Sequence, residues 1–168
     1  GGVVEVIEPA MQAAISDFRT SGLNIMMSMK QEGKPVSFVE DCAVPLEHLA
    51  EYVDRLTQVF ARHGTRGTWY AHASVGTLHV RPILDMRRDG AAKMRAIAEE
   101  ASELVRKYKG AYSGEHGDGY ARSALNPRLF GPQLYEALRQ IKQTFDPQGI
   151  MNPGKVFTRE MLLNRVWG

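Results

Sequence analysis

Only one cysteine, Cys42, occurs in the 168 residues, so no disulfide can close within the chain and no cysteine-rich metal site can form. A reducing compartment is the corresponding expectation. No apolar run approaches the roughly 20 residues of a membrane span, and no signal-peptide pattern opens the chain. An excess of either charge is also missing. Lys and Arg number 21 against 19 Asp and Glu, a net charge of +2, which argues against a nucleic-acid partner. Repeats and biased tracts are absent too, and glycine and proline punctuate the chain without gathering into a linker. What remains is an ordinary globular composition, 43% hydrophobic and 24% charged, in a length that suits one domain with its own core.

The expected elements mix strands with long helices. Val3 to Ile7 reads as a strand, followed by a helix from Pro9 to about Thr20 with Ser21-Gly22 as its stop. Leu23 to Lys30 fits either state, Glu32 to Pro35 reads as a turn, and Val36 to Val44 reads as a strand. Leu46, Leu49, Val53, Leu56 and Phe60 recur at helical spacing up to a stop at His63-Gly64. Strands over Thr68 to Tyr70 and Leu78 to Leu84 are separated by a small-residue stretch containing Gly76. A second amphipathic helix spans Gly90 to Lys107, and another spans about Pro132 to Phe145 before the turn sequence Asp146-Pro147-Gln148-Gly149. The fold class that follows is α+β, an antiparallel or mixed sheet with helices packed on it.

Three of the five histidines, His72, His79 and His116, lie in glycine-containing segments. A single histidine of this kind is more often a structural residue than a ligand. His72 and His79 are seven positions apart, about 10 Å of rise on a helix and opposite faces of an unbroken strand, so neither regular geometry lets them share an ion. Ala73 to Gly76 offers small side chains and a glycine that could fold the chain back. Glu115-His116 lies within Ser113-Gly114-Glu115-His116-Gly117-Asp118-Gly119 and adds a carboxylate and a further imidazole. Two His and one Glu form a known catalytic zinc set, while the plain alternative is an exposed acid in a glycine loop. The spacing is not the His-Glu-x-x-His of helical metalloproteases, and Gly117-x-Gly119 is not a dinucleotide fingerprint. Asn152-Pro153-Gly154-Lys155 is by itself a common turn.

Taken in order, Ser37-Phe38-Val39-Glu40-Asp41-Cys42-Ala43-Val44-Pro45, His72 to His79, Ser113 to Gly119 and Phe145 to Lys155 resemble the C-terminal domain of the FAD-linked oxidases. Within the vanillyl-alcohol oxidase flavoprotein superfamily the resemblance is to the glycolate oxidase and D-lactate dehydrogenase branch. It is strongest to large dehydrogenases in which an iron–sulfur domain follows. The resemblance implies a ferredoxin-like cap domain over the reactive face of a flavin, with FAD held mainly by a separate N-terminal domain, and it makes residues 1–168 a fragment. It further implies that His72, His79 and Glu115 bind a divalent metal, usually zinc. His116 would accept the substrate's hydroxyl proton, Arg19 would bind the substrate carboxylate, and Asn152 and Lys155 would contact the flavin. Such roles suit the groups, since a bound cation lowers the pKa of a hydroxyl, imidazole accepts a proton near neutral pH, and guanidinium pairs with carboxylate through two parallel bonds.

The implied activity is oxidation of a small 2-hydroxy acid, D-lactate, glycolate or a larger one, with electrons passed to an iron–sulfur domain or subunit, a quinone or a cytochrome. The expected location is cytoplasmic or peripheral at the inner face of the membrane. Two departures from the family stand out: Ala73 to Leu78 replaces a Gly-Asp-Gly-Asn stretch, and Arg81 replaces an asparagine. An arginine there favours a substrate with a second carboxylate. Two other readings compete, a metal-free flavin oxidase cap acting on a phenolic alcohol and a non-catalytic binding module.

Overall fold

The computed structural model describes residues 2, 4–28 and 30–155. The elements are α1 (Pro9–Met27), β1 (Lys34–Pro35), β2 (Cys42–Ala43), α2 (Leu49–Arg62), β3 (Gly67–His72), β4 (Thr77–Leu84), α3 (Gly90–Lys107), the short α4 (Gly119–Arg122) and α5 (Asn126–Phe145). No helix among the described residues is long and apolar enough to cross a membrane.

β4 is the centre of an antiparallel sheet. β3 pairs along one side of it, while β1 and β2 pair with its two ends on the other. An isolated bridge between Ala43 and Ala111 extends the sheet beyond β2. The chain order is thus strand, α2, strand, strand, α3, bridge, with the Ala111 edge, β2, β4 and β3 side by side, which is the split β-α-β arrangement of a ferredoxin-like α+β fold.

Strict alternation along β4 divides the sheet into two faces. Leu78, Val80, Pro82 and Leu84 turn inward, while His79, Arg81 and Ile83 turn the other way. The inward set meets Tyr52, Leu56, Val59 and Phe60 of α2 and Ile97, Ala98, Ala101 and Val105 of α3, and these residues form the core. Cys42 is fully buried there, and burial pushes its thiol up to about 12, so it is an unreactive apolar group. α2 and α3 therefore cover one face, and α1 stands over the other.

Four expected elements differ. Val3 lies outside the described residues, and residues 4–8 form no strand; Val4 and Ile7 are exposed and have no sheet edge to join. α1 runs through Ser21-Gly22 to Met27, because a glycine stops a helix by turning left-handed, and Gly22 does not. Its start follows the rule, with Pro9 at the first position and the Glu8 carboxylate accepting from the backbone N–H groups of Ala10 and Met11. The turn expected at Glu32 to Pro35 yields to pairing of Lys34 and Pro35 with Leu84 and Ile83. The strand expected over Val36 to Val44 survives only at Cys42–Ala43, because Asp41 is left-handed at φ 62° and the chain folds inward through residues 38–41. At the C-terminal end, the helix expected from Pro132 is the second part of α5, divided at Gly131 (φ 73°, ψ 169°).

Candidate functional site

His72 and His79 are brought together by a hairpin. β3 and β4 are joined by a single helical turn at Ala73–Val75 and by Gly76, which is left-handed at φ 72°. Only glycine fits this tip, since a Cβ at position 76 would lie 2.1 Å from the carbonyl oxygen of Val44. The resulting register sets Tyr70 opposite His79 and Thr68 opposite Arg81. Period-two alternation then puts Thr68, Tyr70 and His72 on the same face as His79 and Arg81, so the histidines are diagonal neighbours. Their ring centroids are 5.1 Å apart.

The loop after Ala111 carries the third group. Glu115 Oε1 is 3.7 Å from His72 Nε2, and its Oε2 is 3.4 Å from His79 Nε2. One ligand atom from each of His72, His79 and Glu115 falls within 4.8 Å of the others. A tetrahedral ion with bonds of about 2.0–2.1 Å spaces its ligands by about 3.4 Å, so the carboxylate oxygens already stand at a fitting separation from both imidazoles. The chemistry of the donors fits as well, two neutral nitrogens and one carboxylate.

His79 has a carboxylate behind it. Its Nδ1 is buried with no hydrogen-bond partner and lies 3.5 Å from Glu40 Oε1. Glu40 is itself gripped by Arg81, from Nε at 3.1 Å and Nη2 at 2.8 Å, and by the Ser37 hydroxyl. Burial pushes the Glu40 carboxyl up, but the Arg81 and Ser37 hydrogen bonds and the Arg81 charge outweigh it and hold the group below the usual range. The charge of Arg81 is matched by Glu40 in a two-bond contact, and its side chain also lines the adjoining cleft.

His116 stacks on His79 with centroids 5.6 Å apart, and its Nε2 is 3.8 Å from Glu115 Oε2. Beside these rings opens a cleft of about 570 Å³, bounded by the sheet on one side and α1 on the other. Arg19 reaches into it from α1 and donates to the Tyr70 hydroxyl while its guanidinium lies 5.1 Å from the Tyr70 ring centroid. Tyr70 in turn packs against both His72 and His79. The structure thus gathers His72, His79, Glu115 and His116 into one cluster, with Arg19 on the wall of the adjoining cleft.

Asn152 and Lys155 are not gathered there. They follow α5, and neither lines the cleft. The Asp146 carboxylate accepts from the N–H groups of Ile150 and Met151, shaping the segment before Asn152, which is left-handed at φ 48°. Lys155 lies over the Tyr120 ring, 4.8 Å from its centroid.

Glu40, Tyr70 and Asp41 are functional candidates that sequence reasoning did not single out. Two adjacent acids inside the otherwise apolar, strand-like run from Val36 to Val44 were the available signal for Glu40 and Asp41, because such a run buries charge only when something holds it.

Comparison with known proteins gives a single direction. Residues 2–156 match the family described as FAD linked oxidases, C-terminal domain. A D-2-hydroxyglutarate dehydrogenase of Pantoea ananatis is 39% identical over 145 residues, 86% of this chain and 14% of that protein. A D-lactate dehydrogenase of Archaeoglobus fulgidus is 36% identical over 124 residues, 73% of this chain and 27% of that protein. The glycolate oxidase subunit GlcD of Bacillus subtilis is 27% identical over 148 residues, 88% of this chain and 31% of that protein. The chain therefore spans less than a third of the length of each of these relatives.

Proposed function

Because the chain belongs to the family of FAD-linked oxidase C-terminal domains, we propose that it is the substrate-binding and catalytic cap of a larger flavoenzyme that oxidises a D-2-hydroxy acid to the 2-oxo acid. The observation that carries this reading is the convergence of His72, His79, Glu115 and His116, two of which, His79 and His116, line one cleft. Support for the substrate class comes from the relatives, which are named for D-2-hydroxyglutarate, D-lactate and glycolate.

In this reading His72, His79 and Glu115 hold a divalent metal, zinc by donor type. When bound, the ion supplies positive charge that eases ionisation of a hydroxyl, and a flavin supplies the acceptor for the α-hydrogen with its electron pair. His116 accepts the hydroxyl proton on a ring nitrogen, so one proton goes to the protein and one hydride equivalent leaves the substrate carbon. Arg19 binds the substrate carboxylate from the α1 side, and Tyr70 aims the guanidinium through its hydroxyl and ring. Glu40 fixes the ring of His79 by facing the nitrogen that points away from the metal position. Asn152 and Lys155 face the flavin, which an N-terminal domain of the same parent holds.

The experiment is oxidation of D-2-hydroxyglutarate, D-lactate and glycolate by the flavin-loaded parent protein with an artificial acceptor, before and after chelation. Activity on at least one acid, lost with chelator, restored by zinc or manganese and absent in His116→Ala, is the expected result. Full activity in the chelated enzyme would remove the metal from the reading.

A further inference from the structure

The loop that carries Glu115 and His116 contains three glycines in seven residues, so its own chain does little to hold it in one shape. It is held from outside. Asp41 is fully buried, and its Oδ2 accepts from the Ser113 hydroxyl at 2.7 Å, the Glu115 N–H at 3.0 Å and the His116 N–H at 2.8 Å. The Asp41 carbonyl accepts from the Gly114 N–H at 2.8 Å, and the Asp41 N–H donates to the carbonyl of Leu78, the residue before His79. Arg122 closes the arrangement, donating to Asp41 Oδ1 at 2.6 Å and to the Gly117 carbonyl at 2.7 Å.

Two successive N–H groups converging on one carboxylate oxygen form an anion-binding nest; of the two residues' side chains, the His116 ring also approaches the anion, with Nδ1 3.7 Å from Asp41 Oδ2. Here those side chains are the third ligand and the imidazole next to it. We propose that Asp41 is the positioning residue of this site, setting Glu115 against His72 and His79 and setting His116 beside them through their backbone amides. The inference rests on the metal reading above for its purpose, and on hydrogen bonds alone for its geometry. The left-handed backbone of Asp41 agrees with it, because that turn is what swings the carboxylate out of the strand path and under the loop.

A buried Asp–Arg pair could instead serve stability alone, so the test separates the two roles. Zinc affinity of the chain is measured by competition with a chromogenic chelator, and amide hydrogen exchange is followed over residues 113–117, for the parent, Asp41→Asn and Val105→Ala. Val105 is buried in the core on α3 and makes none of the Asp41 hydrogen bonds, and its truncation is expected to lower the melting temperature. Asp41→Asn is expected to weaken zinc binding tenfold or more and to speed exchange at 113–117 by a similar factor, while Val105→Ala binds zinc within twofold of the parent. A folded Asp41→Asn chain that binds zinc within twofold of the parent overturns the proposal, and so does an equal loss in Val105→Ala. Should Asp41→Asn fail to fold, Ser113→Ala removes one of the Asp41 bonds and decides: a threefold loss supports the role and no change overturns it. Should the parent bind no zinc, the metal reading fails by itself, and the exchange rates at 113–117 decide the positioning role.

Discussion

Glu40 stands behind His79 at 3.5 Å from a ring nitrogen that has no hydrogen-bond partner, and it also bonds Arg81 and Ser37. Glu40→Gln is expected to weaken metal binding about 10–100-fold, the usual cost of losing a carboxylate behind a ligating histidine, with the secondary structure intact by circular dichroism. A variant with parental affinity would assign Glu40 to Arg81 alone. His72→Ala and Glu115→Ala each remove a proposed ligand and are expected to abolish stoichiometric zinc, read by elemental analysis of the purified chain. Those ligands were legible as residue types in the sequence, because few side chains bind metals and their glycine-rich surroundings marked them. Glu40 and Asp41 were not. Apart from Ser37, their partners lie far along the chain, 41 residues away in Arg81, 72 to 75 residues away in the Ser113 to His116 loop and 81 residues away in Arg122, and the bonds to Asp41 are largely made by backbone amides that carry no sequence identity. Arg81 shows the same limit from the other side, since its position suggested a role toward substrate and only the fold revealed Glu40 beside it.

Among the elements, glycines at two positions give opposite expectations. Gly22 sits inside α1 with nothing within 4 Å of an added Cβ, so Gly22→Ala is expected to raise stability by about 0.5–1 kcal/mol in denaturant unfolding. Gly76 is left-handed and would drive a Cβ into Val44, so Gly76→Ala is expected to lower stability by about 1–3 kcal/mol and to disturb the histidine pair. The turn after α5 gives a pH signature. Hydrogen bonds from Lys142, Met151 and Ile150, the first of these the largest cause, hold the Asp146 carboxyl below its ordinary value. A lowered folded-state pKa stabilises above the unfolded value and is lost as pH falls through the folded one. Asp146→Asn is therefore expected to melt below the parent at neutral pH, the gap shrinking from about pH 4 downward. A gap constant down to pH 2 would rule this out. α2, α3 and β4 were legible because each repeats its apolar residues at its own period against the core, and β3 because Thr68, Trp69 and Tyr70 are strand-prone residue types. The end of α1 and the interrupted strand over 36–44 were not, because a glycine allows a stop without requiring one, and because a buried carboxylate drew the chain out of its strand.

For the molecule as a whole, two groups stand out among the apolar residues left exposed. Met11, Ile15 and Phe18 are exposed on α1, and Phe145, Ile150 and Met151 are exposed at and beyond the end of α5. Exposed apolar surface of this kind suits contact with further chain, and the matched region covers only 14%, 31% and 27% of the three relatives. The chain alone is expected to retain no flavin: gel filtration with added FAD gives a colourless protein peak, and a stoichiometric yellow peak would contradict this. The cleft itself is divided between two suppliers. The proposed ligands and proton acceptor come from the sheet and the loop locked to it, whereas Arg19, Phe18, Ile25 and Met26 come from one helix that stands apart from the core. In the proposed reading, chemistry and selectivity thus belong to separable parts of the chain. A lineage could retool α1 for longer, bulkier or more polar acids by ordinary drift while the reaction beneath it stayed the same.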